Sequence, residues 1–256
     1  MGLAGAALAT AISEVLGGAI PFLYFARPNS STLRLGRPLI DMRALGRVCM
    51  NGSSELVSNL SMSLVSMVYN FQLMAYIGPD GVAIYGVIQY VAWIAVSLLM
   101  GFTVGSSPII SYHYGAKNSS ELKGLFRTCL GVMVAGGVLI TVLTHLFAHP
   151  LAAVFVGYDP ALCEMTVAAL GEYSLAFIFV GVSIFGSAFF TALNNGLVSA
   201  LISFLRTLVF ECAAVMFLPA IIGVDGIWLS IVVAEIASMF LTGGFLVGLR
   251  KHYGYV

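Results

Sequence analysis

Polar side chains recur along one face of a segment that is long enough to cross a lipid bilayer. This face lies in residues 51–73, NGSSELVSNLSMSLVSMVYNFQL, where spacings of 4, 4, 4, 3 and 4 align six residues on one side of a helix. They are Asn51, Glu55, Asn59, Ser63, Ser66 and Asn70. Helix–helix hydrogen bonds explain one or two such groups, and Ser-rich close packing is the alternative for the rest. Because unpartnered polar groups are costly in hydrocarbon, we predict a water-accessible cavity.

Two later segments carry weaker versions of this polar face. Their members are Tyr85, Gln89, Trp93 and Ser97 in one segment, and Ser183, Ser187, Phe190 and Asn194 in the other. Aromatic and polar groups together suit flat organic cations through cation–π contacts, although an interfacial aromatic belt explains Tyr85 equally well. The predicted cavity residues are Asn59, Ser63, Ser66, Asn70, Gln89, Trp93, Ser183 and Asn194.

Carboxylates inside the apolar segments could couple transport to an ion gradient, since ionisable groups in a membrane are functional candidates by default. Counted inward at 1.5 Å per residue, Glu172, Glu211 and Glu235 lie roughly 10–14 Å deep, whereas Glu55 is about one turn inside the inner boundary. Each carboxyl could instead only bond to a neighbouring helix. Arg206 either reaches the cytoplasm or pairs with a glutamate. We rank Glu55 and Glu235 first as coupling candidates.

The composition is that of a helical membrane protein. Of 256 residues, 60% are hydrophobic and 9% are charged, and the mean hydropathy is +1.01. The four cysteines lack C-x-x-C spacing, and no carboxylate accompanies His145 and His149, so we predict no metal site. GVSIF at 181–185 lacks a catalytic base and no phosphate loop is present, which argues against an enzyme and an ATP motor. The net charge of zero gives no indication of a nucleic-acid partner.

Seven apolar segments must position these residues. They span about 3–25, 53–76, 83–109, 126–147, 166–193, 197–219 and 226–248. All eleven Lys and Arg residues fall toward alternate ends of the segments. The positive-inside rule assigns those ends to the cytoplasm, with the amino terminus of the chain outside and the carboxy terminus inside.

The start of the chain resembles a span from the middle of a protein. It has neither the basic region nor the cleavage site of a signal peptide, so we expect the carboxy-terminal part of a longer protein. Arg alternates with apolar residues in 37–50, which predicts an interfacial helix. The predicted organisation is a helix at 1–25, a cytoplasmic linker at 26–52 and a six-helix lobe at 53–256.

A series of segments, taken in order, resembles the multidrug and toxic compound extrusion (MATE) transporters, particularly their MepA-type branch. They include GLAGAALATAISE (2–14), NGSSELVSN, YNFQLMAYIGPDGVAIYGVIQYV, PIISYHYGAKNSSELK, FVGYDPAL, SIFGSAFFTALNNG, SFLRTLVFE and GIWLSIVVAE. The resemblance implies an all-α polytopic bundle with seven transmembrane helices. These correspond to helices six to twelve of a twelve-helix protein, that is, the carboxy-terminal lobe and one preceding helix.

The resemblance also implies a function. It predicts an antiporter of the bacterial plasma membrane that exports organic cations in exchange for H⁺ or Na⁺, without an organic cofactor and together with the missing amino-terminal lobe. Sodium-coupled members carry the ion on acids of helices seven and ten. Glu55 lies nearer the cytoplasmic start of helix seven than that acid does, and Ser183 stands near the expected second acid. The alternative is a flippase for a lipid-linked precursor, which would favour a cavity lined with Arg and Lys. A purely structural membrane protein would not need the polar stripe.

Overall fold

All the regular structure in the described part of the chain is helical. The computed structural model describes residues 2–27 and 41–255, and within these the side chains of residues 2, 3, 6, 44 and 47–58 lie outside the description. The α-helices are α1 (Gly2–Ala26), α2 (Met42–Tyr76), α3 (Pro79–Gly115), α4 (Ser119–Leu146), α5 (Ala148–Val156), α6 (Pro160–Ser174), α7 (Phe177–Ala192), α8 (Gly196–Phe204), α9 (Glu211–Ile222), α10 (Asp225–Gly248) and α11 (Arg250–Tyr253). A π-helical segment, Leu205–Phe210, joins α8 to α9.

Each of the seven predicted crossings falls on helical structure. Among the described residues, five helical stretches are long and apolar enough to cross a membrane, and the bent pair of α6 and α7 makes a sixth. The second predicted crossing lies within α2, which is 35 residues long but is not one of these six, consistent with its polar face. The short helix α5 lies in the connection between the fourth and fifth crossings.

Local sequence signals explain several helix ends. The Asn118 side chain accepts a hydrogen bond from the backbone N–H of Glu121 at the start of α4 (3.3 Å). The Asp159 carboxylate does the same for Ala161 at the start of α6 (3.0 Å). Such caps satisfy backbone donors that the first turn of a helix leaves free. Gly78 adopts φ 88° before Pro79, a backbone conformation that glycine reaches without steric cost.

The fifth and sixth crossings are irregular. Helices α6 and α7 meet at a 45° bend, where Leu175 and Ala176 interrupt the α-helical pattern. The sixth crossing contains the π-helical segment, which includes Arg206. Single π-helical turns inside α-helices are rare, and those that occur are often at functional sites.

Helix α7 is the centre of the described bundle. It packs against α3, α4, α8 and α10, and it approaches α4 so closely that two glycines are required. A Cβ on Gly137 would lie 2.3 Å from the Phe177 carbonyl oxygen, and one on Gly181 would lie 2.8 Å from that of Met133. Such close approach is typical of small residues between membrane helices.

The linker and the domain boundaries stay predictions. Residues 42–50 of the predicted interfacial helix form the first turns of α2, which is continuous to Tyr76, whereas 37–40 lie outside the described residues. The chain divides into two compact units, Met1–Val48 and Cys49–Val256. The second unit contains α3 to α11 and most of α2.

Candidate functional site

A buried ion pair joins the sixth and seventh crossings. The Nε and Nη2 atoms of Arg206 each lie 2.7 Å from Oε1 of Glu235. The Glu235 side chain is 2% exposed and that of Arg206 is 23% exposed. Of the two alternatives that the sequence left open for Arg206, the structure therefore shows pairing with a glutamate.

A second carboxylate lies close to this pair. Glu211, the first residue of α9, interacts electrostatically with both Glu235 and Arg206. Residues five apart in a regular α-helix point about 140° away from each other, because each residue turns the helix by roughly 100°. The i→i+5 pattern of the π-helical segment brings residues five apart toward the same face. Arg206 and Glu211 have this separation, so the π turn explains their proximity.

Three tyrosines surround the charged groups. Tyr173 interacts electrostatically with Glu211, Glu235 and Arg206. The rings of Tyr69 and Tyr85 stack at 5.0 Å and 12°, and both tyrosines interact with Glu211. We call the six residues the charged cluster: Tyr69, Tyr85, Tyr173, Arg206, Glu211 and Glu235.

The sequence did not single out Tyr69 or Tyr173, because a tyrosine in an apolar segment resembles ordinary core. A signal for Tyr69 was present, since it follows Ser66 by three residues and so borders the polar stripe. The Tyr69 hydroxyl is buried and has no hydrogen-bond partner among the described residues. The hydroxyl of Tyr85 interacts with Gln89 and Ser66, which links the charged cluster to two predicted cavity residues.

The polar stripe of α2 flanks the buried side of that helix. Buried residues recur every four positions on α2, namely Ser61, Val65, Tyr69 and Leu73. Beside them, Asn59 and Ser63 are exposed, and Ser66 and Asn70 are half-buried. Ser63 donates to the Asn59 carbonyl oxygen (3.1 Å) and Asn70 to that of Ser66 (2.8 Å). The assignment of the stripe to a cavity stays a prediction.

The remaining predicted cavity residues have different surroundings. On α3, Gln89 is half-buried and Trp93 is 67% exposed. Ser183 is fully buried on α7, and Asn194 is exposed in the turn after α7 with φ 60°. Among the described residues, Tyr85 brings Ser66 and Gln89 together, whereas Ser183 and Asn194 lie elsewhere, on α7 and in the turn that follows it.

The other two predicted coupling acids are not in the charged cluster. Glu172 is half-buried near the end of α6 and interacts electrostatically with Asp225 at the start of α10. Glu55 lies within α2, but its side chain is outside the described ones. In the described part of the chain, no group of three His, Cys, Asp or Glu residues is arranged to hold a metal ion.

The helices and the buried charges together define a multi-pass helical membrane protein. A family model, MatE, matches residues 56–215, more than half of the chain, and the chain belongs to this family. The family is one of transporters and not of enzymes, as the sequence predicted. The resemblance to MATE transporters and the all-α fold class are thereby confirmed.

Several curated relatives are multidrug export proteins. MepA of Staphylococcus aureus (strain NCTC 8325 / PS 47) is 22% identical over 240 residues, which covers 92% of this chain and 51% of the relative. MepA of Staphylococcus haemolyticus is 23% identical over 251 residues, covering 96% of this chain and 54% of the relative. The chain thus spans about half the length of the curated relatives it matches.

Solved structures share the fold. A multidrug resistance MATE family transporter of the MOP superfamily in its inward-facing conformation matches with a TM-score of 0.84 at 20% identity, over 99% of this chain and 58% of its own. A MOP superfamily transporter from Pyrococcus furiosus matches with a TM-score of 0.82 at 20% identity, over 99% of this chain and 57% of its own.

Proposed function

We propose that this chain is the carboxy-terminal lobe, with one preceding helix, of a secondary antiporter that exports small organic cations from bacteria. Membership of the MatE family supports transport. The multidrug export proteins among its relatives support drug-like substrates. The coverage of about half of each relative supports a second, amino-terminal lobe as partner. In this proposal the protein lies in the plasma membrane with its carboxy terminus in the cytoplasm, in agreement with the distribution of basic residues.

The charge balance of the charged cluster carries the proposal. Two carboxylates, Glu211 and Glu235, are close to one guanidinium, that of Arg206. One negative charge is therefore without a counter charge among the described residues of the cluster. Because an isolated charge is costly in a low-dielectric interior, this site favours binding of one further cation. H⁺ and Na⁺ are the coupling ions that this arrangement suits.

Coupling follows if the ion and the organic cation favour different states of the same protein. The stacked tyrosines connect Glu211 with the stripe on α2, since Tyr85 interacts with both Glu211 and Ser66. A change in the charge at Glu211 therefore changes the electrostatic interactions of Tyr85, which lies next to the predicted cavity. By thermodynamic linkage, an ion that weakens drug binding is itself released by the drug.

The flippase is the less favoured alternative. Recognition of a pyrophosphate calls for free Arg or Lys side chains. Arg206 lies inside a crossing, but its charge is already engaged by Glu235 at 2.7 Å. This pairing favours a cation site over an anion site.

The test is gradient-driven dye efflux from proteoliposomes that contain the complete two-lobe transporter. Glu211→Gln removes the excess charge while keeping the shape of the side chain and much of its hydrogen bonding. We expect this variant to lose efflux driven by a pH or sodium gradient. Glu164→Gln is the matched control, because Glu164 is an exposed carboxylate on α6. Normal coupling in Glu211→Gln, at equal membrane abundance, would contradict the proposal.

A further inference from the structure

Most buried hydroxyls on these helices bond to their own backbone. Thr103 donates to the carbonyl oxygen of Leu99 (2.9 Å), Thr141 to that of Gly137 (3.0 Å) and Thr166 to that of Leu162 (2.7 Å). Each acceptor is four residues earlier in the same helix. This bond is the usual way for a hydroxyl to be satisfied in an apolar surrounding.

Three fully buried hydroxyls depart from this pattern. Ser183 on α7 and Ser238 and Thr242 on α10 are all 0% exposed, and their oxygens have no hydrogen-bond partner among the described residues. Oε2 of Glu235, on the same helix, is also buried and unpartnered. Four such atoms in one region need an explanation, because buried polar atoms almost always have partners.

Helix geometry places the four residues along one seam between α7 and α10. These helices pack side by side, and a Cβ on Gly186 would come 2.1 Å from the Thr242 methyl carbon. On α10, spacings of three and four residues place Glu235, Ser238 and Thr242 on one face. Ser183 lies three residues before Gly186 on α7, and Ser238 lies four residues before Thr242 on α10. One crossing separates α7 from α10, so the two helices run parallel and Ser183 lies level with Ser238.

The spacing along the seam suits single water molecules. At 1.5 Å per residue, Glu235 is about 4.5 Å from Ser238 along the helix axis and Ser238 is about 6 Å from Thr242. One bridging water spans gaps of this size, and buried waters typically bind groups that the protein leaves unpaired.

We propose that the seam holds a file of internal water molecules that carries protons between Glu235 and the inner end of the bundle. The inference rests on the proposed function, since it supplies the route for an exchanging proton. Arg206 binds Oε1 of Glu235, which leaves Oε2 free to face the seam.

The relay is balanced in protons and charge. A proton taken up at the inner end passes through waters and the hydroxyls of Ser183, Ser238 and Thr242, each of which accepts one proton and donates another. It ends on Oε2, and Glu235 becomes neutral. The charge of Arg206 is then balanced by Glu211. Tyr173 of α6 is the other titratable group that interacts with Glu235, while α7 and α8 contribute none.

The inner end of the seam is closed in this conformation. Leu246 lies one turn beyond Thr242 and within 3.8 Å of a Cβ built on Gly186, and the rings of Phe190 and Phe245 meet beside it at 6.5 Å. These apolar side chains must shift before a proton passes, as expected for a route open in only one state of an antiporter.

Hydration is tested on the 256-residue chain alone, in lipid nanodiscs and without transport. In a background without the native cysteines, Ser238→Cys is compared with Ser230→Cys. Ser230 is on the same helix and also fully buried, but it donates to the Gly226 carbonyl oxygen. The infrared S–H stretch reports thiol exchange in D₂O. We expect exchange at 238 to be at least about tenfold faster. Equal rates at the two positions, slow or fast, would overturn a specifically hydrated seam.

Proton transfer is tested in the complete transporter. Ser183→Ala with Ser238→Ala should slow proton-driven efflux about tenfold, while the affinity for the exported dye is unchanged. Ser230→Ala should stay within about twofold of the wild type. Unchanged efflux in the double variant would overturn the relay. Efflux driven only by a sodium gradient in the wild type would also overturn the relay. Absence of efflux under either gradient would instead contradict the proposed function, and the thiol exchange would still report on the seam.

Discussion

The stripe on α2 and the charged cluster are both polar regions within apolar helices, but their polar atoms have different partners. On the stripe, Ser63 and Asn70 bond to carbonyl oxygens of their own helix, and the side chains are exposed or half-buried. In the charged cluster, Arg206 and Glu235 bond across two helices and are largely withdrawn from the surface.

This difference separates two roles. Ser63 and Asn70 bond to their own helix, so they are free to exchange partners with a ligand at low cost, whereas Ser66 also interacts with Tyr85 on α3. A buried ion pair is weak evidence for stability, because its desolvation offsets much of its attraction. Its presence, with one carboxylate in excess, is better explained by ion exchange. We therefore propose that the stripe contacts the drug and that the charged cluster couples the ion.

The largest effect is expected from breaking the ion pair. Glu235→Leu removes the carboxylate that bonds Arg206 and leaves only Glu211 nearby, which should destabilise the chain by about 1.5–3 kcal/mol. Glu235→Leu combined with Arg206→Met removes both charges and should recover most of this loss. The free energy of unfolding in mixed micelles of detergent and SDS measures both variants. If the single variant is no less stable than the double variant, the pair is not buried as described.

Accessibility along α2 should show the next largest effect. Cysteines at 59, 63, 66 and 70 are expected to react with a water-soluble thiol reagent at least about tenfold faster than cysteines at 60, 64 and 68, because only the hydrated thiol ionises and reacts. The latter set lies on the opposite side, toward lipid or packed neighbours. Labelling in the assembled two-lobe transporter checks this. Equal rates for both sets would show that this face of α2 does not line a cavity.

Two buried tyrosines differ in whether their hydroxyls have partners, and replacing them should have a smaller effect. Tyr255 donates a 2.6 Å hydrogen bond to the Leu246 carbonyl oxygen, whereas the hydroxyl of Tyr69 has no partner among the described residues. Tyr255→Phe should cost about 1 kcal/mol and Tyr69→Phe close to nothing. Thermal unfolding of both variants measures the difference, and a larger loss in Tyr69→Phe would show that its hydroxyl has a structural partner.

Tyr255 should also make the stability of the folded chain depend on pH. Burial, followed by the nearby Tyr253, raises the pKa of Tyr255 from 10.0 to about 12. The folded chain then holds this proton more tightly than the unfolded chain, so the associated stability is present below pH 10 and is lost as the pH rises toward 12. In Tyr255→Phe, the decline in stability between these pH values should be smaller. An identical decline would show that other groups cause it.

Periodicity and composition were sufficient to predict the all-α fold and the apolar helices, whereas the depth of the carboxylates and the cavity beside the stripe stay predictions. Periodicity and composition could not predict the 45° bend between α6 and α7 or the π-helical segment, because both depend on neighbouring helices and not on a local propensity. Whether Arg206 reaches the cytoplasm or pairs with a glutamate also depends on the packing of α10 beside the π-helical segment. Tyr69 and Tyr173 were missed because aromatic residues in spans usually form core.

Ion coupling at the charged cluster is tested most directly by the release of the coupling ion when an organic cation binds. The complete transporter, in weakly buffered detergent solution, is titrated with tetraphenylphosphonium while pH and sodium electrodes record released ions. By linkage, we expect about one H⁺ or Na⁺ per bound cation in the wild type and none in Glu211→Gln, with release retained in Glu164→Gln. Undiminished release in Glu211→Gln, or none in the wild type, would contradict the assignment of ion exchange to the charged cluster.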